Sequence, residues 1–172
     1  MKLPDLPYAE LATTIILSEA ASIFEPLIAS GKVNELADPK QIAGLKSGLE
    51  ITAKDYLKAM RIRTIAQQKI RGLFGEVDIL LSPARFGPAS RISEPIDRRS
   101  DQPTPKASGL SALIPAGNLA GLPALSLPCG FADGLPVAIQ LVGSAFSENL
   151  LLAFGKEFQT RTDWHRRRPK VG

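Results

Sequence analysis

Few side chains in this sequence combine a reactive type with a spacing that chemistry needs. His165 is the one histidine, and imidazole titrates near neutrality, but the sole carboxylate close to it is Asp163. The run around it, Arg161 to Lys170, is arginine-rich and has Trp164 as its one aromatic residue. That composition reads as a basic surface tail (162–172) with Trp164 folded onto the domain, neither a catalytic base nor a nucleic-acid platform. Cys129 sits at the end of a predicted strand with no histidine or basic cluster beside it, so an inert thiol is expected. Glu19 falls on or beside the apolar face of a predicted helix, where a neighbouring donor would hold it. No metal-ligand spacing occurs, and neither a metal nor a cofactor is expected. Ser126 and Gln140 are the remaining candidates, because each interrupts an otherwise apolar strand. A polar group inside a sheet needs hydrogen-bond partners, so each is either satisfied within the fold or aimed at a pocket.

The stretch that carries them organises the chain. Ala124–Leu127 is a short apolar run between Pro123 and Pro128, and Val137–Val142 is a second, rich in β-branched residues and closed by Gly143. Both read as strands. Asp133-Gly134 between them supplies positive φ at low steric cost, the chemistry of a chain reversal. Both runs are apolar at nearly every position, which predicts a sheet covered by helices on both faces. Val77–Leu81, ahead of Ser82-Pro83, is a third predicted strand.

Helical spacing starts at Ala9 and places Leu11, Ile15, Ile16, Ile23 and Phe24 on one apolar face. Pro26 should end or kink that helix. A shorter helical segment is expected over Lys40–Leu49. The longest helix runs over Ala53–Phe74, opened by Thr52 and Asp55 at capping-box spacing; Leu57, Met60, Ala66 and Ile70 form its core side. Residues 84–107 are proline-rich and charged and read as a long irregular loop. Ser108–Leu119 reads as a short helix or turn interrupted near Pro115 and Gly117. Ser147 opens a final helix carrying Leu150, Leu151, Phe154 and Phe158.

The totals bound the rest. At 172 residues, 44% hydrophobic and 22% charged, the chain reads as a single globular domain, 1–172, long enough to bury a core. A net charge of +4 does not by itself imply a nucleic-acid partner. One cysteine excludes an intrachain disulfide and fits a reducing compartment. The N-terminus lacks a signal-like apolar core and no run approaches transmembrane length. A soluble, cytoplasmic protein with no membrane contact is expected.

Three pieces in order carry a family resemblance: Asn118-Leu-Ala-Gly-Leu-Pro123, Leu127-Pro-Cys-Gly130, and Gly134-Leu-Pro-Val-Ala-Ile-Gln-Leu-Val-Gly143. Together they resemble the C-terminal part of the amidase signature family, which includes bacterial amidases and the A subunit of the glutamyl-tRNA amidotransferase. The pattern from Ala53 through Asp55, Tyr56 and Ala59 to Arg63, and the Asp78-to-Pro83 strand, are similar to the same family. The resemblance implies an α/β fold, a mixed sheet covered by helices, and amide hydrolysis or ammonia release for the intact enzyme. It covers about the last third of the family's length.

That family uses a Lys–Ser–Ser triad, in which an unprotonated amine and a bridging serine activate the nucleophile. This sequence has no Ser-Ser and no Gly-Gly pair, so no catalytic residue is assigned and the chain alone is expected to be inactive. A substrate-binding Asp of the amidotransferase would fall on Ser111, counted back from Asn118, and a substrate-binding Arg near Pro39 and Lys40. Both departures favour an amidase over an amidotransferase ancestry. Ser111, Asn118, Gly121 and Pro123 are the expected pocket-wall positions. The expected partners are the missing N-terminal amidase portion, in the same or a separate chain, and a second copy meeting the exposed sheet edge. A non-catalytic interaction or scaffold module and a basic RNA-binding remnant are the competing readings.

Overall fold

Pro26 sets the first break in the chain. The computed structural model describes residues 2–85, 87–89 and 112–168, and in it helix α1 (Tyr8–Ile23) stops three residues before that proline. The Pro26 ring clashes with the Ser22 carbonyl of a continuous helix and offers no amide to bond it. Phe24 closes α1 by donating its amide to the Ala20 carbonyl, and α2 (Glu25–Ala29) restarts with Pro26 in its first turn, where a missing N–H costs nothing. Gly31, at φ 77°, turns the chain into a 3₁₀ segment, Lys32–Glu35.

Helix α3 (Pro39–Gly48) is capped by Asp38, whose side chain accepts from the Lys40 amide. Helix α4 (Ala53–Leu73) starts on the expected cap: the Asp55 amide donates to Thr52 Oγ1, which donates in turn to Asp55 Oδ2 at 2.6 Å. Tyr8, Leu11 and Ile15 of α1 close on Ala59, Ala66 and Ile70 of α4 to form the helical core. Alanine at the contact points lets the helices approach closely. Gly48 does the same between α1 and α3, because a Cβ there would strike the Leu17 carbonyl oxygen and Ala21 Cβ. Tyr8 donates its hydroxyl to the Pro4 carbonyl at 2.7 Å. Burial, with Asp5 adding to it, raises that phenol's pKa. Glu19 is exposed and is held by the Tyr56 hydroxyl at 3.2 Å.

Among the described residues three strands form an antiparallel sheet in the order β1 (Ile79–Pro83), β3 (Leu135–Gly143), β2 (Ala124–Ala132). The hairpin turns at Asp133 and Gly134, with φ of 51° and 78°, the backbone of a two-residue turn whose twist matches the strands. Pro128 does not end β2 as its sequence position suggested. The strand runs on to Ala132, and the register slips between Pro128 and Gly130. A bulge accommodates the proline there and leaves Cys129 half-buried at the irregularity. Strand β1 starts two residues later than expected and includes Pro83. Ala84 donates its amide to Ala138, so the pleat turns Pro83 toward the open edge, where its missing donor does no harm.

Helix α6 (Glu148–Arg161) packs on β2 and β3. Leu151 and Phe158 meet Leu125, Leu127, Ile139 and Leu141, and Gly155 lets the helix settle onto Leu125 and Leu127. On the opposite face α5 (Leu113–Ala120) approaches Val142 through Gly117. Pro115 does not interrupt α5, since it lies in the first turn, where helix amides have no intrahelical acceptor.

Cover is less complete than the apolar strands suggested. Leu81, Ala124 and Ser126 are exposed, as are Ile16, Ile23, Phe24, Leu57, Leu150 and Phe154, all assigned to buried faces by periodicity. The periodicity located the helices correctly. Their apolar faces are broader than the surfaces that the described residues provide against them. Most of the irregular 84–107 loop lies outside the described residues. None of the described helices is long and apolar enough to cross a membrane.

Candidate functional site

The turn from α5 into β2 carries three of the four expected pocket-wall residues. Asn118 is exposed on the last turn of α5, and its carbonyl accepts from the Gly121 amide at 3.2 Å. Gly121, at φ 71° and ψ 44°, is the left-handed residue that ends the helix, and the Leu122 amide returns to the Gly117 carbonyl at 3.0 Å. This is a Schellman stop, which an L side chain at Gly121 would strain. Pro123 follows, and its carbonyl accepts from the Gly143 amide at 3.1 Å, joining β2 to the end of β3. The Asn-Leu-Ala-Gly-Leu-Pro motif thus encodes a helix stop followed by a strand start. Ser111 lies outside the described residues.

Two residues of α4 hold this turn, and sequence reasoning gave neither a role there. Arg63 donates Nε to the Leu119 carbonyl at 2.8 Å, and Gln67 donates Nε2 to the Ala120 carbonyl at 3.1 Å. These carbonyls belong to the unpaired last turn of α5, the negative end of its dipole, where a guanidinium is favourable. Arg63 belongs to the motif on α4, but nothing in the sequence says which helix end it reaches.

The strand register creates a second polar feature. Ser82 of β1, Gln140 of β3 and Ser126 of β2 are direct cross-strand partners. The three share one row on the face turned away from α6. Ser82 is wholly buried and its Oγ has no hydrogen-bond partner among the described residues; Gln140 is half-buried and Ser126 exposed. The sequence flagged Ser126 and Gln140 separately but treated Ser82 as a strand terminus. Pairing them requires the register.

At the far end of the hairpin the chain returns in a 3₁₀ turn, Trp164–Arg166. Trp164 rests against Phe131 with ring centroids 6.0 Å apart, and the Arg167 guanidinium lies 4.5 Å from the Trp164 ring while pairing with Asp163 at 3.2 Å. Trp164 and Arg167 are therefore folded onto the domain, as the tryptophan suggested. A neighbouring cleft of 680 Å³ is lined by Arg161, Asp163, Trp164 and Arg166 among others. Its Thr160 and Thr162 hydroxyls donate to helix carbonyls, and it pairs no base with a nucleophile. Half-buried His165 has no partner at Nδ1 among the described residues. Among the described residues no group of three or more His, Cys, Asp or Glu is placed to share a metal ion.

The family model described as Amidase matches residues 8–152, from the first residue of α1 into α6. The chain belongs to the amidase family. One similar relative is the A subunit of the glutamyl-tRNA(Gln) amidotransferase from Synechococcus sp. (strain JA-2-3B'a(2-13)). It is 45% identical over 117 residues, which cover 68% of this chain and 22% of that protein. A crystal structure of an amidase superposes with a TM-score of 0.78 at 28% identity, over 92% of this chain and 36% of that one. The structure of 6-aminohexanoate cyclic dimer hydrolase shares the fold, with a TM-score of 0.73 at 22% identity over 98% of this chain and 37% of that one. The chain therefore corresponds to about a fifth of the curated relative's length and about a third of each of these solved structures. This amidase segment is an α/β unit whose helices and antiparallel sheet have counterparts inside larger enzymes.

Proposed function

We propose that this chain is the C-terminal segment of an amide hydrolase, supplying scaffold and substrate-pocket wall while the nucleophile comes from the rest of the enzyme. The observation that carries this reading is the α5–β2 turn. Arg63 and Gln67 from α4 hold the Leu119 and Ala120 carbonyls, and the left-handed Gly121 ends the helix there, a rigidity that suits a wall against which an acyl group is positioned. Ser111 belongs to the same proposed wall. No serine pair of the kind that the family's triad requires occurs in the sequence, and the segment alone supplies no activated nucleophile. The N-terminal amidase portion is the partner that completes the site.

A second reading is favoured by the 45% identity to an amidotransferase protein: the segment would then serve ammonia release from an amide for transfer. The position taken by Ser111 argues against it, because a hydroxyl cannot neutralise the α-ammonium of an amino-acid substrate.

The test is complementation. The 172-residue chain is assayed on a chromogenic amide and on glutamine, alone and with a separately produced N-terminal amidase portion. Activity is expected from the mixture only. Turnover by the repurified chain alone would overturn the proposal. Turnover of glutamine in preference to simple amides would favour the second reading.

A further inference from the structure

An α-helix leaves its last four carbonyls without intrahelical amide partners, and in α5 all four are accounted for. The Gly117 and Asn118 carbonyls accept from the Leu122 and Gly121 amides, at 3.0 and 3.2 Å. The Leu119 and Ala120 carbonyls accept from Arg63 Nε and Gln67 Nε2, at 2.8 and 3.1 Å. Two partners are thus local backbone, and two come from α4, 56 and 53 residues away in sequence.

The two pairs have different consequences. The backbone pair closes on itself through the left-handed Gly121 and sets the shape of the turn. It does not fix where the turn stands. Arg63 and Gln67 are one helical turn apart and share a face of α4, so their donors reach adjacent carbonyls. That helix is anchored through Ala59, Ala66 and Ile70 in the core it shares with α1 and α5. Beyond the turn, the Pro123 carbonyl accepts from the Gly143 amide, and Leu127 of β2 packs in a second core with Leu141 and Leu151. Asn118–Pro123 therefore joins two hydrophobic cores, and α4 ties its helical end to the first. Arg63 also lies alongside the joint, with Nη2 3.9 Å from the position of a Gly121 Cβ.

We infer that Arg63, assisted by Gln67, is a positioning residue for the amide reaction: it sets where the Asn118–Pro123 wall stands, while the local turn sets its shape. Arg63 acts through the Leu119 carbonyl and not on the substrate. This rests on the proposed reading of the turn as pocket wall.

Two variants test it: Arg63→Met keeps an unbranched apolar stem and removes the donors, and Arg63→Lys restores a charged donor. In the complete 172-residue chain, amide hydrogen exchange reads shape and place separately. Arg63→Met is expected to leave the Leu122 amide protected, since its bond lies within the turn, and to speed exchange at Gly143, whose bond crosses to Pro123. Arg63→Lys should recover most of the Gly143 protection. Loss of protection at Leu122 would mean that α4 maintains the turn itself, a purely structural role, and would overturn the inference. So would unchanged exchange at Gly143. In the mixture with the N-terminal amidase portion, Arg63→Met should lower kcat on a chromogenic amide about tenfold at nearly unchanged KM, because the acyl group is bound but misplaced. Arg63→Lys should restore most of that loss. An unchanged kcat in an active mixture would overturn this inference alone. A native mixture without activity would overturn the proposed function, and the exchange pattern of the chain by itself then decides whether Arg63 places the turn.

Discussion

Arg63 Nε donates to the Leu119 carbonyl at 2.8 Å across 56 residues of sequence, and this one bond ties the longest helix to the turn that begins the sheet. Arg63→Ala removes a charged donor from a part-buried carbonyl at the negative end of α5. The expected loss is about 1–3 kcal/mol of stability, read as a lower urea midpoint. Gln67→Ala should cost less, and the double variant should fall short of the sum, since both donors serve adjacent carbonyls. An unmoved midpoint for Arg63→Ala would mean that water replaces the guanidinium without loss.

The hairpin turn gives a test free of packing effects. Gly134 has φ 78° and nothing within 4 Å of where a Cβ would stand, so substitution there acts through the backbone alone. Gly134→Val should cost on the order of 1–3 kcal/mol, because a β-branched residue resists positive φ. Gly48→Ala tests the opposite case, a steric clash with the Leu17 carbonyl and Ala21. Overpacking of about 1–3 kcal/mol is expected from it. Thermal melts of both variants decide, and a Gly134→Val melt at the native temperature would place the strain elsewhere.

Tyr8 predicts an alkaline limit to stability. Its raised pKa means that the folded state holds the phenolic proton more tightly than the unfolded chain. The resulting stabilisation is complete below the unfolded pKa of about 10 and is lost as pH rises through the folded value. Urea midpoints should therefore decline above about pH 10. Tyr8→Phe should flatten that decline while lowering stability at neutral pH through loss of the bond to Pro4. A Tyr8→Phe profile parallel to the native one would contradict the assignment.

Self-association should follow from what the chain leaves in water. Ile23 is 73% exposed and Phe146 95%, and Phe146 also holds φ 65°, an uncommon conformation for a non-glycine residue. With edge strands on both sides of a three-stranded sheet, the isolated chain is expected to associate as concentration rises. Light scattering and a hydrophobic dye measure this. A strict monomer with no dye binding would show that these groups find cover within the chain.

Local chemistry made much of the architecture legible. Pro26 ended α1, Thr52 capped α4, and Asp133-Gly134 turned the hairpin, because each acts on backbone torsions within a few residues of itself. Strand ends were less legible: Pro128 looked like a stop until a bulge absorbed it. Burial was misjudged at Ile16, Ile23, Leu57 and Leu150, since periodicity reports that a face is apolar and says nothing of what stands opposite.

The candidate site divides the same way. Asn118, Gly121 and Pro123 were visible as a motif, and the left-handed demand on Gly121 explains its glycine from local geometry alone. The donation from Arg63 to Leu119 and the alignment of Ser82 with Gln140 and Ser126 came only with the tertiary structure. A hydrogen bond spanning 56 residues and a cross-strand register are relations between distant segments. Neither leaves a trace in the spacing of neighbouring residues, because the energy that selects them arises when the segments pack together.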